Sequence, residues 1–151
     1  ADYLGDWQVS DILTGATLRE SVFDQASGWR THAAYGDESS ARGFVDASAR
    51  IAKKTGVVVF RKEIDVGPTD AAHLHLGYDG PVLVRLNAKL IHQGVAGNPA
   101  LPDHVSVPVN FCHGVNCVEI ALDTNNGRAC GIFARWEPAA PARKKAAPPC
   151  P

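Results

Sequence analysis

The sequence predicts an all-β protein, folded as a single antiparallel β-sandwich or jelly roll. About eight short runs show strand patterning and are separated by turn residues, whereas no long amphipathic helical pattern occurs. A length of 151 residues suits one domain with one core. The chain is 45% hydrophobic and carries a formal net charge of −1, a composition typical of folded rather than disordered proteins.

Local patterns predict each strand in turn. The first runs from Trp7 to Ile12, with Trp7 and Val9 on one face. From Thr14 to Gly56 the strand signal weakens, so this stretch is predicted to be rich in loops, with at most a helical turn between Ala47 and Lys54. The further predicted strands are Val57 to Val66, Ala72 to Tyr78, Val82 to Leu86, Leu90 to Gln93, Val105 to Val109, Val118 to Leu122 and Ile132 to Trp136.

Turn residues predict how some of these strands connect. Asp79-Gly80-Pro81 and Asn87-Ala88 separate three consecutive strands, which we therefore expect to form a meander. Eight strands are enough for the two sheets of a sandwich or jelly roll.

The chain is predicted to divide near residue 138. Residues 1–137 form the sandwich, and residues 138–151 are almost wholly Pro, Ala, Lys and Arg, a composition that predicts an extended linker or tail. A linker implies a neighbouring domain, while a tail that contacts nothing is the alternative.

The charge pattern excludes several kinds of partner. With 15 basic and 16 acidic residues and no dense basic stripe, the chain is not expected to bind nucleic acid or a membrane surface. No apolar run approaches the roughly 20 residues that span a bilayer, and no signal peptide precedes Ala1, so we expect a soluble chain. The missing initiator Met indicates processing or a fragment of a longer protein.

Four cysteines allow a disulfide. Cys112 and Cys117 flank a turn-like stretch, so we predict that they face each other across a hairpin and are bridged. A disulfide would indicate a secreted or periplasmic protein. The alternatives are a zinc site that adds His113 and Cys130, and four reduced thiols; the pairing of Cys130 and Cys150 stays open.

Seven short motifs between Gly5 and Trp136 carry information through their order and spacing. They are Gly5 to Ser10, Gly28 to Arg30, Gly43 to Asp46, Val59 to Lys62, Leu74 to Lys89, Gly114 to Ile120 and Gly131 to Arg135. The set resembles the galactose-binding-like jelly-roll accessory modules of glycoside hydrolases and polysaccharide lyases. Two positions depart from the pattern: Ala88 stands where Gly is usual, and Arg85 where an aromatic residue is common.

The resemblance implies a non-catalytic module that binds a carbohydrate or polysaccharide, or that supports a catalytic domain in the same protein. A pyranose offers an apolar face to an aromatic ring and paired hydroxyls to Asp, Asn or Arg. The candidate binding residues are Trp29, Arg30, Tyr35, Tyr78, Asp79, Asp123, Asn125, Asn126 and Arg128.

The candidates have structural alternatives. Trp29 is either an exposed platform or part of the core, to which we assign Trp7 and Trp136. Asp79 is also a good turn residue. The polar loop from Asp123 to Arg128 suits sugar hydroxyls, a structural calcium ion or a simple Asn-Gly turn, and no other cofactor is expected. We expect ligand contact from this loop together with Trp29 and Arg30.

Two other functions compete with sugar binding. His73 and His75 lie two residues apart on a predicted strand and point to one face, as in a metal-dependent cupin-type enzyme. His104 and His113 are the candidates for a third ligand, but Asp79 replaces the Glu of the cupin motif. A purely structural spacer domain would share every feature used above.

Overall fold

The computed structural model describes residues 2–95 and 97–140. It confirms the antiparallel β-sandwich, because the strands form two sheets packed face to face. The predicted linker lies outside the described residues from residue 141 onward. No helix in the described ranges is long and apolar enough to cross a membrane.

The described residues form eleven strands and two helical turns. The strands are β1 (Trp7–Val9), β2 (Leu13–Thr14), β3 (Arg30–His32), β4 (Val45–Asp46), β5 (Gly56–Asp65), β6 (Ala71–Tyr78), β7 (Val82–Leu86), β8 (Lys89–Gly94), β9 (Val105–Asn110), β10 (Val115–Asp123) and β11 (Gly131–Pro138). The helical turns are α1 (Val22–Gln25) and α2 (Ser48–Ile51). The turn predicted between Ala47 and Lys54 is therefore confirmed, whereas α1, β2, β3 and β4 fall in the stretch predicted as loops.

The large sheet has the strand order β3-β1-β5-β10-β7-β8, with β2 also paired to β5. The small sheet has the order β4-β11-β6-β9. The longest ladder joins β5 to β10, in register from Val115 opposite Asp65 to Asp123 opposite Val57. This ladder forms the centre of the large sheet.

The core lies between the two sheets. Alternate residues of each strand point into it, so that Trp7, Phe60, Leu74, Ile120 and Ile132 are at most 1% exposed. The assignment of Trp7 to the core is confirmed. Trp136 is partly buried and packs against the same core, with its ring 5.4 Å from that of Phe111.

The outer face of the large sheet carries a second apolar cluster. Val57, Val59 and Ala121 point away from the main core and are covered by Val22 and Phe23 of α1. Strands β5 and β10 are therefore buried on both faces. This explains why residues 57–60 are continuously apolar rather than alternating.

The predicted meander is wrong in its first step. β6 pairs with β11 and β9 in the small sheet, while β7 pairs with β10 and β8 in the large sheet. Asp79-Gly80-Pro81 therefore carries the chain from one sheet to the other. The crossing is tight, since a Cβ atom on Gly80 would lie 2.3 Å from the Asp123 carbonyl oxygen. The β7–β8 hairpin is confirmed.

The predicted bridge between Cys112 and Cys117 is also wrong, because Cys117 is a free thiol. The intervening residues connect β9 of the small sheet to β10 of the large sheet and form no hairpin. Asn116 accepts a hydrogen bond from the Cys112 backbone N–H (3.0 Å) and donates one to its carbonyl (2.8 Å). Cys117, the next residue on the strand, points to the opposite face. A secreted or periplasmic location therefore has no support from this pair.

The β7–β8 turn gives a stability prediction. Asn87 and Ala88 have φ values of +51° and +68°, the left-handed conformation that Gly adopts without a Cβ penalty. We expect Ala88→Gly to raise the free energy of unfolding by about 1 kcal/mol. Urea denaturation measures this difference.

The control for this prediction is Ala33→Gly, at an exposed position outside the set of residues with positive φ. That change should lower stability slightly, because Gly only adds freedom to the unfolded chain. Equal destabilisation by both changes would contradict a strained turn at Ala88.

Candidate functional site

A cleft of about 930 Å³ opens at one end of the sandwich. One wall is formed by α2 and the two residues after it, and the other by Asn126 to Cys130 in the loop between β10 and β11. Asn98, from the connection between β8 and β9, also lines it. The volume lies within the range typical of small-molecule sites.

Buried hydrogen bonds clamp the two walls together. Thr124, fully buried, donates from Oγ1 to the Lys54 carbonyl (2.7 Å) and accepts from the Gly56 N–H (3.0 Å). Its own backbone N–H donates to the Gly56 carbonyl (2.9 Å). At the other end of the loop, the Ala47 N–H donates to the Cys130 carbonyl (2.7 Å). Hydrogen bonds therefore join the two walls at both ends of the stretch from Thr124 to Cys130.

The walls also touch directly at Gly127. This residue has a φ of +80°, and a Cβ atom there would lie 2.1 Å from the Lys53 carbonyl oxygen. Only glycine meets both requirements at this point. The Asn-Gly sequence thus does more than form a turn, because it lets the loop pack on the backbone after α2.

Asp79 supports the same loop from inside the sandwich. Its carboxylate, 3% exposed, accepts hydrogen bonds from the backbone N–H groups of Cys130 (2.7 Å) and Gly131 (3.3 Å). Burial raises the pKa of Asp79, and the two hydrogen bonds only partly oppose this effect. Asp79 therefore holds the end of the loop and does not line the cleft.

The predicted loop residues divide into two roles. Asn126 and Arg128 line the cleft. Asp123 and Asn125 instead shape the loop: Asp123 Oδ1 accepts from the Asn125 N–H (2.8 Å), and the Asn125 carbonyl accepts from Arg128 Nε (3.2 Å). Calcium binding by this loop stays a prediction.

Neither candidate tyrosine lines the cleft. Tyr78 is 3% exposed, and its hydroxyl lies 2.9 Å from His92 Nε2. Burial raises the pKa of Tyr78 and lowers that of His92. Tyr35 is 41% exposed and donates to Asp46 Oδ2 (2.6 Å), a hydrogen bond that raises the pKa of Tyr35.

Trp29 and Arg30 lie away from the cleft. The Trp29 ring packs against the outer apolar cluster of the large sheet, under the guanidinium of Arg61 at 4.2 Å from the ring centroid. Arg30 is exposed on the edge strand β3. The structure therefore does not bring these two residues together with the loop in one cleft.

The partner of Arg61 is Glu119, a buried carboxylate shared by two arginines. Arg61 Nε donates to one carboxylate oxygen (2.9 Å) and Arg85 Nε to the other (2.7 Å). Burial alone would raise the pKa of Glu119, but the hydrogen bonds and charges of Arg85 and Arg61 outweigh it and lower the pKa. Arg85 also packs over the Phe23 ring at 4.4 Å, so this network holds α1 and Trp29 on the sheet.

His73 and His75 lie on the outer face of the small sheet, with ring centroids 6.3 Å apart. The prediction that they share a face is confirmed. His75 Nε2 lies 2.7 Å from a carboxylate oxygen of Glu137. Within the ranges that the structure describes, no group of three His, Cys, Asp or Glu side chains is arranged to hold a metal. His104 and His113 thus do not complete a cupin-type centre with this pair.

Sequence patterns missed several cleft residues, including Ser48, Lys53 and Asn98. They come from separate connections, and nothing local marks any of them as a binding residue. The sequence also gives no sign that Ala52 and Lys53 adopt the left-handed αL conformation, since neither is Gly, Asn or Asp, the residues that favour it.

Comparisons with known proteins identify the fold. Neither the known protein families nor the curated protein sequences contain a match to this chain. Among solved structures, a β-glucosidase from Kluyveromyces marxianus matches 89% of this chain at 12% identity with a TM-score of 0.58. A β-glucuronidase from an uncultured Clostridium sp. matches 81% at 14% identity with a TM-score of 0.51. A GH31 α-xylosidase from Xanthomonas citri matches 87% at 11% identity, also with a TM-score of 0.51.

In each case the match covers a small part of the glycosidase. The chain corresponds to 16% of the β-glucosidase, 22% of the β-glucuronidase and 14% of the α-xylosidase. The likeness is one of fold, and in each case it is confined to one part of a much longer chain.

The clamp at Thr124 gives a testable prediction. Thr124→Val keeps the shape of the side chain but leaves the Lys54 carbonyl and the Gly56 N–H without their hydroxyl partner in a buried position. We expect the free energy of unfolding to fall by about 1–3 kcal/mol in urea denaturation. Thr124→Ser, which keeps the hydroxyl, should lose less. A Val variant as stable as the parent would contradict the clamp.

The Glu119 network predicts a pH dependence. At neutral pH we expect Glu119→Gln to lower the free energy of unfolding by about 2 kcal/mol, because Arg61 and Arg85 lose the buried counter-charge that they share, and Arg85 keeps only the exposed Asp24 at 3.6 Å. Because the folded-state pKa is lowered, this stabilisation is complete above the ordinary Glu pKa and is lost as the pH falls through the lowered value.

Melting temperatures measured at a series of pH values from 7 downward test this effect. The melting temperatures of the parent and of Glu119→Gln should converge in acid. The control Glu20→Gln removes an exposed carboxylate and should change little at any pH. A gap between the parent and Glu119→Gln that stays constant with pH would contradict the assignment.

Proposed function

We propose that this chain is a non-catalytic carbohydrate-binding or accessory module of a carbohydrate-active enzyme, and that the cleft beside α2 is its binding site. The observation that carries the proposal is the correspondence of 81–89% of this chain to a small part of much longer glycosidase chains. A module of this kind is joined to a catalytic domain in the same protein.

The chemistry of the cleft supports this proposal. Its lining offers the amides of Asn98 and Asn126, the guanidinium of Arg128 and the hydroxyl of Ser48. Such groups make the paired hydrogen bonds that vicinal sugar hydroxyls require. The hydrogen bonds of Thr124 hold the walls in place before a ligand arrives, which reduces the entropy cost of binding.

The lining also argues against hydrolysis at this site. Glycoside hydrolysis normally uses two carboxylates across the scissile bond, and the lining residues within 2–95 and 97–140 include neither Asp nor Glu. The described lining residues include no aromatic ring either, so binding lacks a stacking contact and relies on polar groups and on aliphatic side chains such as Ile51 and Ala129. We therefore expect weak affinity, with dissociation constants on the order of 0.1–1 mM.

A glycan screen followed by calorimetry tests the proposal. The parent should bind at least one oligosaccharide, and Asn126→Ala and Arg128→Ala should each weaken that binding about tenfold by removing hydrogen bonds to the sugar. The matched control is Arg19→Ala, which removes an exposed arginine outside the cleft and should bind like the parent. Circular dichroism checks that the melting temperatures agree.

Other outcomes separate the competing functions. No binding to any glycan would contradict a binding module and favour a structural spacer. Unchanged binding in both cleft variants would place the site elsewhere, with Trp29→Ala as the next variant to measure. Release of product from aryl glycosides by the parent would contradict the non-catalytic assignment.

A further inference from the structure

We propose that the cleft prefers an acidic saccharide, one that carries carboxylate groups, over the neutral saccharide of the same linkage. This inference rests on the proposed function, because it names the class of sugar for the same cleft. It follows from the charges that line the cleft and from the partners of one arginine.

The charge of the lining differs in sign from that of the whole chain. The chain has a formal net charge of −1, with 16 acidic residues. The cleft, in contrast, is lined by Lys53 on one wall and Arg128 on the other, and no acidic residue lines it in the described part of the chain. Basic residues on both walls favour an anion in the cleft.

Arg128 stands apart from the arginines that serve the fold. Five others form ion pairs with carboxylates: Arg42, Arg50, Arg61, Arg85 and Arg135. Arg128 has no carboxylate partner in the described part of the chain, where its Nε donates only to the Asn125 carbonyl (3.2 Å). Its terminal N–H groups make no hydrogen bond there, so they remain available to a ligand. A guanidinium is suited to bind a carboxylate with two parallel hydrogen bonds.

The position of this guanidinium is set before binding. The Nε bond to Asn125 orients the side chain, and the Arg128 carbonyl accepts from Asn98 Nδ2 (3.0 Å). On the opposite wall, the Lys53 backbone packs on Gly127, which fixes the point from which the lysine side chain extends. An arginine held in this way loses less side-chain entropy on binding than a freely moving one.

The test compares two β-1,4-linked trisaccharides, one of glucose and one of glucuronic acid, and the α-1,4-linked pair of galactose and galacturonic acid. Calorimetry is run with the parent chain in about 20 mM and about 300 mM NaCl. In at least one pair, the acidic member should bind about tenfold more tightly at low salt, and the difference should shrink at high salt.

Equal or tighter binding of the neutral members overturns this inference and leaves the proposed function intact. If no member of either pair binds while other glycans do, this inference also fails; if no glycan at all binds, the proposed function fails with it.

Three variants locate the preference. Arg128→Gln and Lys53→Gln should each weaken binding of the acidic trisaccharide about tenfold and change binding of the neutral one less, because each removes one positive charge from the lining. Arg128→Lys keeps the charge but not the paired hydrogen bonds and should recover part of the affinity.

The control is Arg19→Gln, which removes the same charge from an exposed position outside the cleft and should leave both affinities unchanged. An equal loss in Arg19→Gln would mean that the overall charge of the chain, rather than the cleft, attracts the acidic sugar, and would overturn the inference. Melting temperatures identify any variant whose fold has changed. If Arg128→Gln is such a variant, the affinities of Arg128→Lys and of the parent are compared instead.

Discussion

The pairing of β5 with β10 is the constraint on which the rest of the structure depends. The ladder is the longest among the described residues and is buried on both faces from Val57 to Phe60, so its register cannot slip without moving apolar residues into water. At its end, Asp123 lies opposite Val57. That register places Thr124 beside Gly56, where the hydrogen bonds that clamp the cleft are made. The geometry of the candidate site is therefore a consequence of the central ladder.

The same ladder carries a charged residue on its outer face. Glu119 lies between Arg61 and Arg85 on the two neighbouring strands, so that its carboxylate meets a guanidinium on each side. Above them, Trp29 and Phe23 pack on the two guanidinium groups. This arrangement covers the outer face with the chain's own residues. It also explains why an aromatic residue that suits sugar stacking is used here to hold the segment around α1 in place.

The cleft and the buried carboxylates lie in different parts of the sandwich. The polar groups of the cleft come from three connections at one end of the sandwich, while the buried carboxylates Asp79 and Glu119 are both engaged by donors elsewhere. Under the proposed function, the lysine and arginine of this lining are the groups that would meet a sugar. Loops held at the end of a rigid sandwich are a common place for such recognition.

The sequence by itself determined the long strands from β5 onward and β1, because the period-two pattern and the turn residues are local properties, whereas it missed the short strands β2, β3 and β4. It predicted β6, β7, β9 and the β7–β8 hairpin closely, and it assigned Trp7 to the core. It also singled out Asn126 and Arg128, which line the cleft, through the polar Asn-Gly loop. Only the tertiary structure decided which sheet each strand joins. The turn at Asp79-Gly80-Pro81 resembles a hairpin turn but connects the sheets, since the partners of β6 are distant in sequence.

The same physical reason explains the other differences. Cys112 and Cys117 are close in sequence, but they lie on opposite sides of a crossing between the sheets. Trp29 belongs to the outer cluster because Arg61, 32 positions further along the chain, packs on its ring. Lys53 and Asn98 meet Arg128 only when the two sheets close on each other. Long-range pairing and packing leave no mark in a local pattern, and they alone decided where the cleft forms and which side chains line it.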